Sequence, residues 1–190
     1  MPIPLGILAA AGFRPSAAGS FDLLESTVLT GSQASVEFTN LATKYASDYQ
    51  HLQIRYTTRT SVSSFDSFGK ITFNGATTQF QSHALLGNGS TVSSQFWNQG
   101  AYIIAMWGQG SGSTANAFGA GVMDILDPFD SNKNTTIRDL SGRTANDNRI
   151  GLNSGAWFNT AAITSILLTP DSGSWLQHSR FSLYGIKATA

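Results

Sequence analysis

Apolar and polar positions alternate with a period of two through most of this chain. The clearest run is residues 49–60, where Leu52, Ile54, Tyr56 and Thr58 fall on one side and His51, Gln53, Arg55, Thr57 and Arg59 on the other. Such alternation predicts a strand with one buried and one wet face. Shorter runs at 21–30, 34–38, 70–74, 78–86, 92–97, 101–107, 117–126, 135–141, 149–158, 162–169 and 180–186 bring the total to roughly ten to twelve strands. Only residues 41–48, with Leu41, Lys44 and Tyr45 at helical spacing, suggest a turn of helix. Between the runs lie turn residues: Asn74-Gly75, which predicts a hairpin pairing 70–74 with 78–86, then Asn88-Gly89, Asn98-Gln-Gly100 and a flexible polar loop at 108–113. Gly119 and Gly121 interrupt an otherwise apolar strand, as glycines do where another chain segment approaches closely. The expected fold is all-β, an antiparallel jelly-roll-like sandwich formed by residues 20–190 as one domain.

The closing strand organises this expectation. In residues 180–186, Phe181, Leu183 and Gly185 share one face and Ser182, Tyr184 and Ile186 the other, so both faces carry bulk and the strand reads as covered on two sides. So apolar a strand needs partners on both edges, from earlier parts of the chain or from a neighbouring subunit.

Composition narrows the function classes. Hydrophobic residues make up 41% of the chain but charged residues only 12%, about half the share usual for a soluble domain. A surface so poor in charge suits a subunit packed into an assembly. Eleven basic and eleven acidic residues cancel without forming a run of either sign, which gives nucleic acid and anionic membranes no electrostatic footing. There is no cysteine, hence no disulfide framework, thiolate nucleophile or sulfur-ligated metal.

Residues 1–12 are apolar without periodicity. They lack a basic start, and Pro2, Pro4 and Gly6 interrupt what would be the core of a signal peptide; the run is also short of the roughly 20 residues that span a bilayer. With the Pro15 to Gly19 hinge, residues 1–19 read as an arm whose Ile3, Leu5, Ile7 and Leu8 dock in a partner's groove.

No residue set announces catalysis. His51, His83 and His178 lie in separate strand contexts without a zinc or nucleophile motif, and the Ser154-Gly155 pair lacks hydrolase-elbow spacing. Asp124 and Asp127, three apart on a strand, fall on opposite faces, which leaves a glycosidase pair to Glu25, Glu37 or an aspartate met in space. Asp130, Asn132 and Asn134 begin like a calcium loop, but Thr135 and Ser141 stand where that loop needs glycine and glutamate, so tight-turn chemistry is the preferred reading. Phe96, Trp97, Tyr102 and Trp107 concentrate on what reads as one hairpin, either as core or subunit interface or, if wet, as a glycan-stacking platform. Neither a metal nor a cofactor is expected.

The end of the chain, Ala161-Ala-Ile-Thr-Ser-Ile, a Gly/Ser turn, then Ser179-Arg-Phe-Ser-Leu-Tyr-Gly-Ile-Lys187, resembles that of a family of small β-rich virion proteins from tailed bacteriophages of marine and freshwater bacteria, cyanophages included. Tyr49-Gln-His-Leu-Gln-Ile-Arg55, Leu85-Leu-Gly-Asn-Gly89, Asn116-Ala-Phe-Gly-Ala-Gly-Val-Met-Asp-Ile-Leu-Asp127 and Ser154-Gly-Ala-Trp157 extend the resemblance over nearly everything after Gly19. It implies a non-enzymatic virion component made in the host cytoplasm: a capsid decoration or cement protein or a small appendage, trimeric, contacting capsid, neck or tail proteins. The alternative is a receptor- or carbohydrate-binding module of a tail fibre or baseplate that takes a host surface glycan.

Overall fold

The computed structural model describes residues 20–146 and 148–187. Its twelve strands are β1 (Phe21–Val28), β2 (Val36–Thr39), β3 (His51–Thr58), β4 (Asp66–Phe73), β5 (Phe80–Gly87), β6 (Val92–Gly100), β7 (Ile103–Gln109), β8 (Gly119–Leu126), β9 (Thr135–Arg143), β10 (Arg149–Trp157), β11 (Ser165–Pro170) and β12 (Arg180–Ile186). The predicted helical turn is α1 (Leu41–Tyr45). A large sheet runs β1-β12-β3-β8-β9-β10-β5-β6 and a small one β2-β11-β4-β7; all named pairs are antiparallel. With the meander β8-β9-β10 counted as one position, the orders 2-11-4-7 and 3-8-5-6 are those of a jelly roll, with β1 and β12 added beyond β3.

The two sheets close on a core of Phe38, Leu52, Ile54, Ile71, Phe73, Met123, Ile137, Trp175, Phe181 and Leu183. As expected, β12 is an interior strand, hydrogen-bonded to β1 and β3. Its second face is only half covered: Tyr184 lies beneath the Arg55 guanidinium, 4.5 Å from the ring centroid, with no further layer of strands among the described residues. Gly121 leaves the space that the Tyr56 hydroxyl occupies, and Gly119 packs on Gly108, so both glycines mark close approaches.

Three local expectations are corrected. Asn74 and Gly75 do adopt positive φ, 53° and 68°, but they carry the chain from one sheet to the other: β4 pairs with β11 and β7, whereas β5 pairs with β10 and β6. The Asn74 side chain fixes this crossing by accepting the N–H groups of Thr164 and Ser165 and donating to the Ala162 carbonyl. The stretch 92–107 is likewise no hairpin, since β6 and β7 belong to different sheets. Finally, Arg59 and Gln53 are not wet. The Arg59 guanidinium is buried and donates to the carbonyls of Ser111, Ser113, Thr114 and Ala117, so the glycine-rich loop expected to be flexible is clamped from beneath.

Strand β7 is an edge of the small sheet, and its free N–H groups are met by side chains rising from the large one. Ile104 donates to Ser82 Oγ, Met106 to Asp139 Oδ2 and Trp107 to Ser141 Oγ. Asp139 is fully buried; it also accepts from the Tyr56 hydroxyl (2.6 Å) and from Asn153 Nδ2 (2.7 Å). Burial pushes its pKa up to about 6, partly offset by the Tyr56, Met106, Asn153 and Ser141 hydrogen bonds, and burial beside this carboxylate holds the Tyr56 phenol well above its usual range.

Because the folded protein holds this proton more tightly than the unfolded chain, the contribution of Asp139 to stability is largest below about pH 4 and falls by about 3 kcal/mol as pH rises to about 6. Asp139→Asn keeps an oxygen for Met106 and Asn153 and presents its amide to the Tyr56 hydroxyl, so it should abolish this part of the pH dependence. Asp139→Ala strands those donors and should cost on the order of 3 kcal/mol or more. Denaturant melts of the three proteins between pH 4 and 7 check both expectations.

Candidate functional site

Alternation places the four aromatics of residues 96–107 in different surroundings. Phe96, opposite His83, points outward from the large sheet and is exposed, while its neighbour Trp97, opposite Ser82, points inward. Strands β5 and β6 run on beyond the small sheet and pack against β7, where Ala84, Leu86, Ile104 and Trp107 form a second, smaller core edged by Phe68, Trp97 and Tyr102. Trp107 is core, its indole donating to Asn153 Oδ1 at 2.8 Å. Tyr102 is half-buried, with the Lys70 ammonium 4.5 Å from its ring centroid.

Over this second core the edge of the sandwich opens into a cleft of about 380 Å³. Trp97 and Gln95 enter it from β6, Asp66 and Phe68 from β4, Trp107 from β7 and Arg149 from the start of β10. Asp66 is held in place by the fully buried Arg143 side chain at 2.9 Å and by Arg149 at 3.3 Å. Arg149 also lies over the Trp107 ring, 5.3 Å from its centroid, and Phe68 tilts against the same ring at 5.4 Å. Sequence reasoning named Trp97 and Trp107 but not Asp66, Phe68, Gln95 or Arg149, because the cleft is assembled from three separate stretches of the chain, β4, β6 with β7, and β10.

The second candidate surface is the outer face of the large sheet. Leu85, Leu152, Leu140 and Val122 stand directly opposite one another across β5, β10, β9 and β8. Their neighbour Ile150 is 59% exposed, and Leu85, Leu140 and Leu152 are each nearly half exposed. Beside this stripe runs the row His83, Ser154, Arg138, Asp124 and Gln53, in which Arg138 and Asp124 pair at 2.6 Å. A cue was present in the sequence: Leu140 and Leu152 alternate with Asp139, Ser141 and Asn153, and only one of the two sets can face inward.

The remaining candidates are dispersed. Ile3, Leu5, Ile7 and Leu8 lie outside the described residues. Asp130 accepts the Asn132 N–H at 2.8 Å within a turn, and hydrogen bonds from Asn132 hold its carboxyl below the usual range; Asn134 is exposed just before β9. Among the described residues, no group of three or more His, Asp or Glu side chains is placed to hold a metal ion. His51 accepts the Asp127 N–H on Nδ1, His83 is on the outer face, and His178 sits in a turn with φ of 72°. Glu25 accepts from Lys44 and Tyr45, and Asp127 is bound by Lys133 and Gln50. No helix among the described residues is long and apolar enough to cross a membrane. Comparison with protein-family models, curated proteins and solved structures finds no match to this chain.

Gly151 decides whether the cleft floor can form, because a Cβ there would stand 2.6 Å from Trp107 Cδ1. Gly151→Val should push the indole off Asn153 and cost roughly 1–3 kcal/mol. The checks are a displaced Trp107 indole N–H resonance and a lowered melting temperature.

Proposed function

We propose that this chain is a non-enzymatic structural protein of a bacteriophage virion, a decoration, cement or small appendage subunit that works as a closed homo-oligomer and is attached through its N-terminal arm. The observation that carries the assembly reading is the apolar stripe across β5, β10, β9 and β8. The outward face of a soluble antiparallel sheet is ordinarily polar, and a contiguous apolar patch marks a surface covered in the working state. The occupant is another copy of this chain. Over all eight strands the face measures on the order of 800 Å², from seven spacings of ~4.8 Å and strands ~25 Å long, about what each partner contributes to a stable interface; the apolar stripe, on four of those strands, supplies less than half of it as an apolar centre with polar surroundings. A net charge of zero and the paired Arg138 and Asp124 beside the stripe mean that copies meet without like-charge repulsion.

The virion assignment rests on the sequence resemblance, and so does the trimeric state. The arm reading is supported by where the described body begins: Ser20 leads into β1, an edge strand whose outer edge is unpaired by any named strand, so the chain enters the body at its rim. The non-enzymatic reading is supported by the dispersal of Glu25, Asp124 and Asp127, each already bonded to a cationic side chain.

Sedimentation at micromolar concentration should show a closed oligomer, a trimer if the resemblance holds, and Leu140→Lys with Leu152→Lys should convert it to a folded monomer. Monomeric wild-type protein would overturn the assembly reading. Removal of residues 1–12 should leave the melting temperature nearly unchanged yet abolish incorporation into virions; a truncated protein that fails to fold, or still incorporates fully, would overturn the arm's role.

A further inference from the structure

We infer that the cleft between β4, β6 and β7 is a carbohydrate-binding site, with a pyranose ring laid on Trp97 and its hydroxyls taken by Asp66, Gln95 and Arg149. The inference goes beyond the assembly role, since this cleft opens at the edge of the sandwich and the stripe lies on the outer face of the large sheet. Four observations carry it.

The cleft's volume of about 380 Å³ lies in the range of small-ligand sites. Its walls offer half-buried aromatic rings, Trp97 and Phe68, and the C–H face of a sugar ring is the flat, weakly polar surface that stacks on such rings. Its polar groups are of the kinds hydroxyls need: a carboxylate that only accepts, a guanidinium that only donates and an amide that does both. Above all, the site is held ready before any ligand arrives. Asp66 is fixed from behind by the fully buried Arg143, which itself donates to the Gly108 carbonyl, and Arg149 is braced on Trp107. Asp66 and Arg149 therefore have little side-chain freedom left to lose on binding.

Charge separates this class of ligand from others of similar size. Asp66 and Asp171 both line the cleft, and each already engages the cations around it, Asp66 with Arg143 and Arg149 and Asp171 with Lys70, so a phosphate or nucleotide would have to compete with these carboxylates for its counter-charge. A purely apolar ligand would strip water from these groups without replacing their hydrogen bonds. A neutral sugar satisfies both constraints, and because the cleft is open along the sheet edge it admits an internal stretch of a longer glycan as well as a terminal residue.

The test is saturation-transfer NMR on the full chain with millimolar methyl pyranosides of glucose, galactose, mannose and N-acetylglucosamine and with their β- or α-linked tetrasaccharides. The expected result is transfer to the C–H protons of one ring face of at least one sugar. A preference for the tetrasaccharide would identify an internal stretch of glycan, a preference for the methyl glycoside a terminal residue. Trp97→Ala should weaken binding by about tenfold or more. Gln95→Ala, a change at an exposed position that leaves the second core intact, should weaken it less. Phe96→Ala, on the opposite face of the same strand, should leave it unchanged. Absence of transfer from every probe, transfer that survives both Trp97→Ala and Gln95→Ala, or transfer lost equally in Phe96→Ala would overturn the inference.

Discussion

The constraint on which the rest of this structure depends is the hydrogen bonding of β7. An edge strand buried against another sheet has N–H groups that can reach neither a neighbouring strand nor water, and each one left unmet would cost about as much as a typical mutation costs a whole protein. Here the acceptors are side chains, Ser82, Asp139 and Ser141, set at alternate positions on β5 and β9 beneath the strand. Met106, whose φ of 55° is rare for a residue with a side chain, marks where the strand bends to aim its N–H at Asp139. Asp139 in turn needs Tyr56 and Asn153 to tolerate its burial, and Asn153 holds the Trp107 indole that floors the cleft.

That inward-facing polar row dictates the outward face. Successive residues of a strand point to opposite sides, so once Asp139, Ser141, Asn153 and the space-giving Gly151 and Gly155 are committed to the interior of β9 and β10, Leu140, Leu152 and Ile150 must face out. The apolar stripe is therefore the other side of the same solution, and a one-residue slip in either strand would undo both faces at once. The proposed assembly across this stripe and the stability of the β7 edge would therefore be joined through the pleat.

Much of the fold was legible in the sequence. All twelve strand runs appear with boundaries shifted by a few residues, the single helical turn is where Leu41, Lys44 and Tyr45 placed it, and Phe181 and Leu183 sit in the centre of the core. What was not legible was partnership. Asn74-Gly75 supplies the backbone of a hairpin turn, yet whether the chain returns beside itself or crosses to the other sheet is decided by Asn74's bonds to residues 162–165, about ninety positions away. Arg59 fits the polar side of a strand by alternation, and only the carbonyls of the 111–117 loop explain its burial. The aromatics of 96–107 were visible as a cluster, but their division into an exposed ring, a cleft wall and a core indole depends on two different sheets.

The two surfaces differ in kind, and the difference follows from their construction. The stripe consists of side chains standing on the open face of a continuous sheet, with neighbours set by strand register alone, which suits a broad contact made and specified by a copy of the same chain. The cleft exists because β5 and β6 extend past the small sheet and must close on something, and the something is a small aromatic core roofed at its rim by Asp66, Arg143 and Arg149. A site of that form is narrow, braced by buried charge and indifferent to whether the opposite face is covered, so a protein held in an assembly by its broad face would still present the cleft to solvent.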